Sequence, residues 1–242
     1  MKISILIPSR GRPDKLLKLA QSAFNTSSCD IEILAYIDKS DPSKPQYKTL
    51  PEVDKRIKIV IGADSTVAWA VNILAEMATG DAIMTIGDDT IFYTHTWDKA
   101  VIDTAAKYPE GMWMCGFNDG RGGFSHVVYD KEWFKCLGYW WPPIFNHWGA
   151  DEWLTTIAQS PHVNRYEYYD DILIKHEKVG DACPTDETYA RIRGNTNRDR
   201  DHWLKDHMKR YWQADLNAVI SHLGSLKARN TKFVKNYVRT HE

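Results

Sequence analysis

Gly87-Asp88-Asp89 follows directly on the apolar run Ala82-Ile83-Met84-Thr85-Ile86. A buried strand running straight into two aspartates delivers both carboxylates to one rim of a sheet. Paired carboxylates suit Mg²⁺ or Mn²⁺, ions that usually also hold substrate phosphates. A cation bridging a diphosphate can stabilise a departing nucleotide. Taken alone, the same pair also fits a capping and a turn aspartate. His176 ends the apolar stretch Ile172-Leu173-Ile174-Lys175, and a neutral imidazole there can ligate a metal; a single histidine at a strand end is also ordinary structure. Gly149-Ala150-Asp151-Glu152-Trp153-Leu154 opens a helix with two acids. The helix dipole keeps such a carboxylate ionised, and an ionised carboxylate facing a pocket can take a proton from an acceptor hydroxyl. Acids are equally common as plain first-turn residues.

The elements that must position these groups alternate. Residues 3–7 form an apolar strand, ended by Pro8-Ser9-Arg10-Gly11-Arg12-Pro13. Leu16, Leu17, Ala20, Ala23 and Phe24 recur at helical spacing, with Pro13 suited to the first turn. Residues 31–37 form a second strand ending at Asp38. Residues 39–55, rich in Asp, Ser, Pro and Lys, read as a loop. A third strand spans 57–61, and a helix spans 66–78 with Gly80 placed to end it. Residues 82–86 are a fourth strand, 97–107 a helix and 112–117 a strand. This alternation implies an α/β fold with a mostly parallel sheet flanked by helices. The ligand crevice of such a sheet lies at the carboxyl ends of its strands, where Asp38, Asp88 and Asp89 all fall.

With 242 residues, 43% apolar and 26% charged, the chain can bury one sizeable core. No apolar run approaches the roughly 18–20 residues of a membrane span, and no signal peptide precedes the first strand; a cytoplasmic protein is expected. Cys29, Cys115, Cys136 and Cys183 form no close pair and read as reduced thiols. The net charge of −1 hides an asymmetry: residues 190–242 carry 12 Lys and Arg against 5 Asp and Glu. We therefore divide the chain into a body, residues 1–189, and a basic helical C-terminal extension, residues 190–242. The extension is either a solvated amphipathic helix closing on the acidic body or a contact for a polyanionic acceptor or a membrane surface. Six tryptophans, Trp113, Trp133, Trp140, Trp141, Trp148 and Trp153, cluster in mid-chain. Trp113 and Trp133 read as core; Trp140, Trp141 and Trp148, in a loop before the acidic pair, are candidates to line a sugar pocket.

Taken in order, these segments resemble the GT-A-fold family 2 glycosyltransferases. The opening strand with Ser9-Arg10-Gly11-Arg12 is similar to their nucleotide-entry segment. Asp38, in Tyr36-Ile37-Asp38-Lys39, resembles the acid that contacts their base. Ala70-Val71-Asn72 and Ala78-Thr79-Gly80 resemble their Ala-x-Asn helix and its close. Gly87-Asp88-Asp89 stands in the place of the DxD metal motif, Asp151-Glu152 in that of the catalytic-base pair, and His176 in that of a late metal-binding histidine. Asp130-Lys131-Glu132-Trp133-Phe134 resembles the segment before the acceptor site. The likeness runs over residues 2–177. It departs from the family in Gly-Asp-Asp for Asp-x-Asp, Asp-Glu for Glu-Asp, and the lack of an arginine before Asn72.

The resemblance implies a hexosyl- or pentosyltransferase that uses Mn²⁺ or Mg²⁺ and a nucleotide-sugar, most commonly a UDP-sugar. It implies donor contacts from Pro8, Ser9, Arg10, Arg12, Asp38, Asp64, Asn72 and Asp88, metal ligation by Asp89, His176 and Asp88, and a base at Asp151 or Glu152. One base and one displacement imply inversion. The compact architecture also resembles glycosyltransferases of bacterial viruses, some of which modify hydroxymethylated pyrimidines in DNA. With basic and aromatic residues interleaved in the extension, DNA is one expected acceptor and a cell-surface or capsule glycan the other. A binding module without activity is the non-enzymatic alternative, and a nucleotidyltransferase the other enzymatic one.

Overall fold

The computed structural model describes residues 1–120, 126–146, 149–177 and 206–241. Trp148, Cys183 and the basic residues from Arg191 to Lys205 lie outside the described residues. The chain runs β1 (Lys2–Ser9), α1 (Pro13–Thr26), β2 (Asp30–Asp38), α2 (Lys44–Val53), β3 (Ile57–Gly62), α3 (Val67–Met77), β4 (Ala82–Thr85), β5 (Thr90–Phe92), α4 (Asp98–Lys107), β6 (Met114–Asn118), β7 (Val127–Asp130), α5 (Glu132–Leu137), α6 (Ala150–Gln159), β8 (Tyr166–His176) and α7 (Asp206–His241).

The eight strands form a sheet in the order β3-β2-β1-β4-β7-β6-β8-β5. β3, β2, β1 and β4 are parallel throughout. Beyond β4 the sheet becomes mixed: β7 is antiparallel to both β4 and β6, β8 is parallel to β6, and β5 is antiparallel to β8. The expectation of a mostly parallel sheet thus holds for the first half and not for the second. Periodicity alone could not reveal this, because a short buried strand looks the same in either direction.

Two cores cover the two faces, and strand alternation sorts residues between them. Ile3, Ile5 and Ile7 of β1 join Leu16, Leu19 and Ala20 of α1 on one side. Leu6 of β1 joins Val71 and Leu74 of α3, Trp153 and Leu154 of α6, and Leu216, Val219, Leu223 and Leu226 of α7 on the other. α3 begins where Thr66 caps it by accepting from Trp69 N.

Residues 39–55 are not simply a loop, since α2 occupies 44–53. Its polar, proline-containing sequence hides it, but a proline in its first turn starts it and Tyr47 and Leu50 bury one face. Gly80 does not end α3, which stops at Met77. A Cβ at Gly80 would lie 2.6 Å from Ser4 N and Oγ, so that glycine serves a close approach between chain segments.

Candidate active site

Parallel pairing in register brings three strand ends to one rim: Ser9 pairs with Ile37, just before Asp38, and Leu6 with Thr85, just before the Gly87-Asp88-Asp89 turn. Asp88 and Asp89 are both buried there. Asp88 takes a hydrogen bond from Ser9 Oγ at 2.7 Å and from the Arg12 guanidinium at 2.9 Å, and the same Arg12 nitrogen stands 3.8 Å from Asp89 Oδ2. Burial raises the Asp88 pKa; Arg12 opposes that shift and the Asp89 charge adds to it.

Tyr47 of α2 completes the support. Its hydroxyl accepts from Arg12 N at 2.8 Å and lies 2.7 Å from Ser9 Oγ. Ser9 has a single proton, given to Asp88, so Tyr47 donates to Ser9. Burial holds the Tyr47 hydroxyl well above the usual phenol range, keeping it a donor. The loop reading of 39–55 missed this residue; the helical spacing of Tyr47 and Leu50 was the available signal. Asp41, also missed, is fully buried and accepts from Gly11 N and Ser43 N, both at 2.8 Å, joining the loops after β1 and β2.

Asp89 meets His176 at the end of β8, with Oδ1 and Nε2 2.9 Å apart. Pairing of Thr90 with His176, and the bond from Glu177 N to the Asp89 carbonyl at 2.7 Å, fix this approach. A Cβ at Gly87 would fall 2.7 Å from Asp89 Oδ1 and 3.6 Å from His176 Nε2. The cradle thus needs glycine, and it presents a carboxylate oxygen and an imidazole nitrogen side by side, a donor set that fits Mn²⁺ or Mg²⁺. Among the described residues no three acidic, histidine or cysteine side chains gather into a protein-only metal site. The other positions of a coordination sphere would fall to substrate oxygens and water.

A second polar cluster lines the β2 and β3 ends. Arg10 donates to Asp38 Oδ2 and to Ser40 Oγ, each at 3.0 Å. Asp64 accepts from Ser40 N at 3.0 Å and from the Ser40 hydroxyl, and Ser65 N donates to Asp38 at 3.2 Å. Arg10, Asp38 and Asp64 are therefore together, and Pro8 precedes Ser9 on the same strand end. Asn72 stands apart: its amide oxygen accepts from the backbone N–H groups of Trp140 and Trp141, and its NH₂ donates to the Trp141 carbonyl.

Asp151 and Glu152 occupy the first turn of α6, after Gly149 at φ 93. Asp151 is half-buried and Glu152 exposed. The Tyr129 hydroxyl, 3.2 Å from both Thr85 Oγ1 and Trp141 Nε1, is pushed up to about 12 by burial, with the Asp151 charge contributing. Asp151 therefore lies within electrostatic reach of the end of β4, the strand that delivers Asp88 and Asp89. Trp113 and Trp133 are core as expected, and so is Trp140, which stacks on Phe134. Of the pocket tryptophans expected from the sequence, Trp140 is thus removed, because the loop folds inward onto α5.

The described cysteines, Cys29, Cys115 and Cys136, are free. No helix among the described residues is long and apolar enough to cross a membrane.

No curated protein matches the chain. Among solved structures, S. aureus TarS 1-349 in complex with UDP is similar at a TM-score of 0.58 and 14% identity, over 72% of this chain and 59% of that one. The mannosyltransferase PcManGT from Pyrobaculum calidifontis, in complex with GDP-Man and Mn²⁺, is similar at 0.59 and 13%, over 95% of this chain and 75% of that one. The chain spans 36% of the longer TarS structure. At these identities the likeness establishes a shared fold. The family model described as Glycosyl transferase family 2 matches residues 4–185. The chain belongs to glycosyl transferase family 2.

Proposed function

We propose that this enzyme moves a sugar from a nucleotide-diphosphate sugar to an acceptor hydroxyl, with inversion at the anomeric carbon, and that residues 1–189 form its catalytic unit. The observation that carries the proposal is the meeting of Asp89 with His176 at 2.9 Å, beside the Asp88–Arg12 pair. UDP in TarS and GDP-Man in PcManGT support a nucleotide-sugar donor.

In this reading Arg10, Asp38 and Asp64 receive the nucleoside. Ser9, Arg12 and Asp88 shape the diphosphate end. Asp89 and His176, with Asp88 beside them, would hold Mn²⁺ or Mg²⁺, whose charge offsets that of the departing diphosphate. Asp151, in the first turn of α6, takes the proton of the acceptor hydroxyl. The acceptor oxygen then bonds to the anomeric carbon as the bond to the diphosphate oxygen breaks, its electron pair leaving with the nucleotide. A single displacement inverts the centre. Glu152, exposed on the same turn, is the weaker candidate for the base.

The test is a panel of nucleotide-sugars with Mn²⁺ or Mg²⁺, following thermal stabilisation and slow donor hydrolysis. A metal-dependent shift with one donor, lost in Asp89→Ala, supports the reading; no shift with any donor overturns it. The acceptor class is separable. Transfer to hydroxymethylated pyrimidines in DNA, as in the small enzymes of bacterial viruses, would run through the basic residues of 190–242 and fall steeply with added salt. Transfer to a neutral glycan would not.

A further inference from the structure

Trp69 is the one exposed tryptophan among the described residues, with 52% of its surface accessible. On α3 the core-facing positions are Ala68, Ala70, Val71, Leu74 and Ala75. Trp69 instead shares a face with Asn72 and Glu76, at helical spacing. Asn72 clasps the backbone of 140 and 141, so this face turns toward the loop that leads into α6. Side chains on a helix lean toward its N-terminus. Trp69 thus lies one turn closer than Asn72 to the rim where Ser65 N meets Asp38. The far part of the loop is tied back to the same turn, with Val67 N donating to the Asn146 carbonyl at 2.9 Å. Between these ties Ile144 is 49% exposed.

We infer that Trp69 is the stacking platform of an acceptor subsite for a carbohydrate ring, edged by Ile144. The inference rests on the glycosyl-transfer reading above and names the acceptor class. The C–H-rich face of a pyranose is apolar and carries slightly positive hydrogens, which suit the electron-rich face of an indole. Asn72 ties the face that carries Trp69 to the loop that leads into α6, where Asp151, the proposed base, stands. That tie points to the acceptor; a nucleoside contact at the neighbouring Asp38 rim is the alternative that the UDP titration tests.

The experiment reads binding of the full chain to an array of immobilised oligosaccharides, for wild type, Trp69→Ala and Trp69→Phe, with UDP affinity titrated separately. Wild type should be retained by one class of saccharide. Trp69→Ala should weaken that binding about tenfold or more, Trp69→Phe should keep part of it, and UDP affinity should agree within about twofold. The inference is overturned if wild type binds no saccharide, or if Trp69→Ala binds as wild type does. It is also overturned if Trp69→Ala loses UDP affinity in parallel, which would make Trp69 a nucleotide contact. Saccharide binding through Trp69 in a wild type that binds no nucleotide would overturn the donor reading and with it the acceptor role, leaving Trp69 a saccharide-binding platform only.

Discussion

Asn72 and Trp141 exchange two hydrogen bonds: the Asn72 NH₂ donates to the Trp141 carbonyl at 2.7 Å, and Trp141 N–H donates back to Asn72 Oδ1 at 3.1 Å. Trp140 N–H donates to the same oxygen at 2.7 Å. One side chain thus satisfies three backbone groups in a segment with no regular structure of its own. The pairing sets the distance between α3 and the loop before Asp151.

Asn72→Ala should therefore act on the loop first. Leaving these backbone groups without partners costs about 2–3 kcal/mol, or a Tm lowered by about 4–12 °C in a chain of this size. Nucleotide affinity should change little while acceptor KM rises. Calorimetry and UDP titration on the same variant check this. A variant that loses UDP affinity but keeps its Tm would return Asn72 to the nucleotide site expected for it from the sequence.

Asp88 and Asp89 should separate under substitution. Asp88 is the close partner of the buried Arg12, and removing one member of such a pair costs about 3–5 kcal/mol. Asp88→Ala should be poorly stable with or without ligand. Asp89→Ala should stay close to wild type in stability but lose metal-dependent nucleotide binding. Thermal unfolding with and without Mn²⁺ and UDP distinguishes them; equal stability of the two variants without ligand would contradict this division of roles.

β1 to β4, β6, the end of β8, the acids that follow β2 and β4, and α3 were legible in the sequence, because apolar runs and helical spacing have direct local signatures; the short β5 and β7 were not. Asp88, Asp89 and His176 stood out by their place after apolar strands. What sequence could not show was set by tertiary contact. Tyr47 sits in a segment whose Pro, Lys and Ser content reads as loop, and its role exists only because Ser9 and Arg12 arrive beside it. Trp140 looks like a pocket residue until Phe134 stacks on it. Trp69, on a helix read correctly, gave no sign that it would be left open.

Glu32 gives the fold a defined acid sensitivity. Its buried carboxylate accepts from Ser4 Oγ at 2.6 Å, from Thr79 N at 2.7 Å and from Lys58 Nζ at 2.7 Å, with Lys2 Nζ at 3.2 Å. Burial alone would raise its pKa, but the bonds from Lys58, Ser4 and Thr79 outweigh burial and hold it well below the usual carboxylate range. A depressed folded-state pKa contributes stability that is present above the unfolded value of about 4.3 and lost as pH falls through the folded one. Glu32→Gln should thus be less stable than wild type at pH 7, with the gap closing as pH falls below about 4. Denaturant midpoints measured across that range check it; a gap independent of pH would mean that Glu32 acts by packing alone.

Gly87 offers the sharpest test of the cradle. A methyl group there would press on Asp89 Oδ1 at 2.7 Å, closer than non-bonded atoms tolerate, and the side-chain end is the part that can shift. The displaced carboxylate would leave His176 Nε2, while the Ser9 and Arg12 bonds to Asp88 stay in place. Gly87→Ala should therefore keep most of its stability and lose metal-dependent nucleotide binding, as Asp89→Ala does. The double variant should be no worse than either single one, because both remove the same interaction. If the two losses add, Gly87 supports the site by some route other than the position of Asp89.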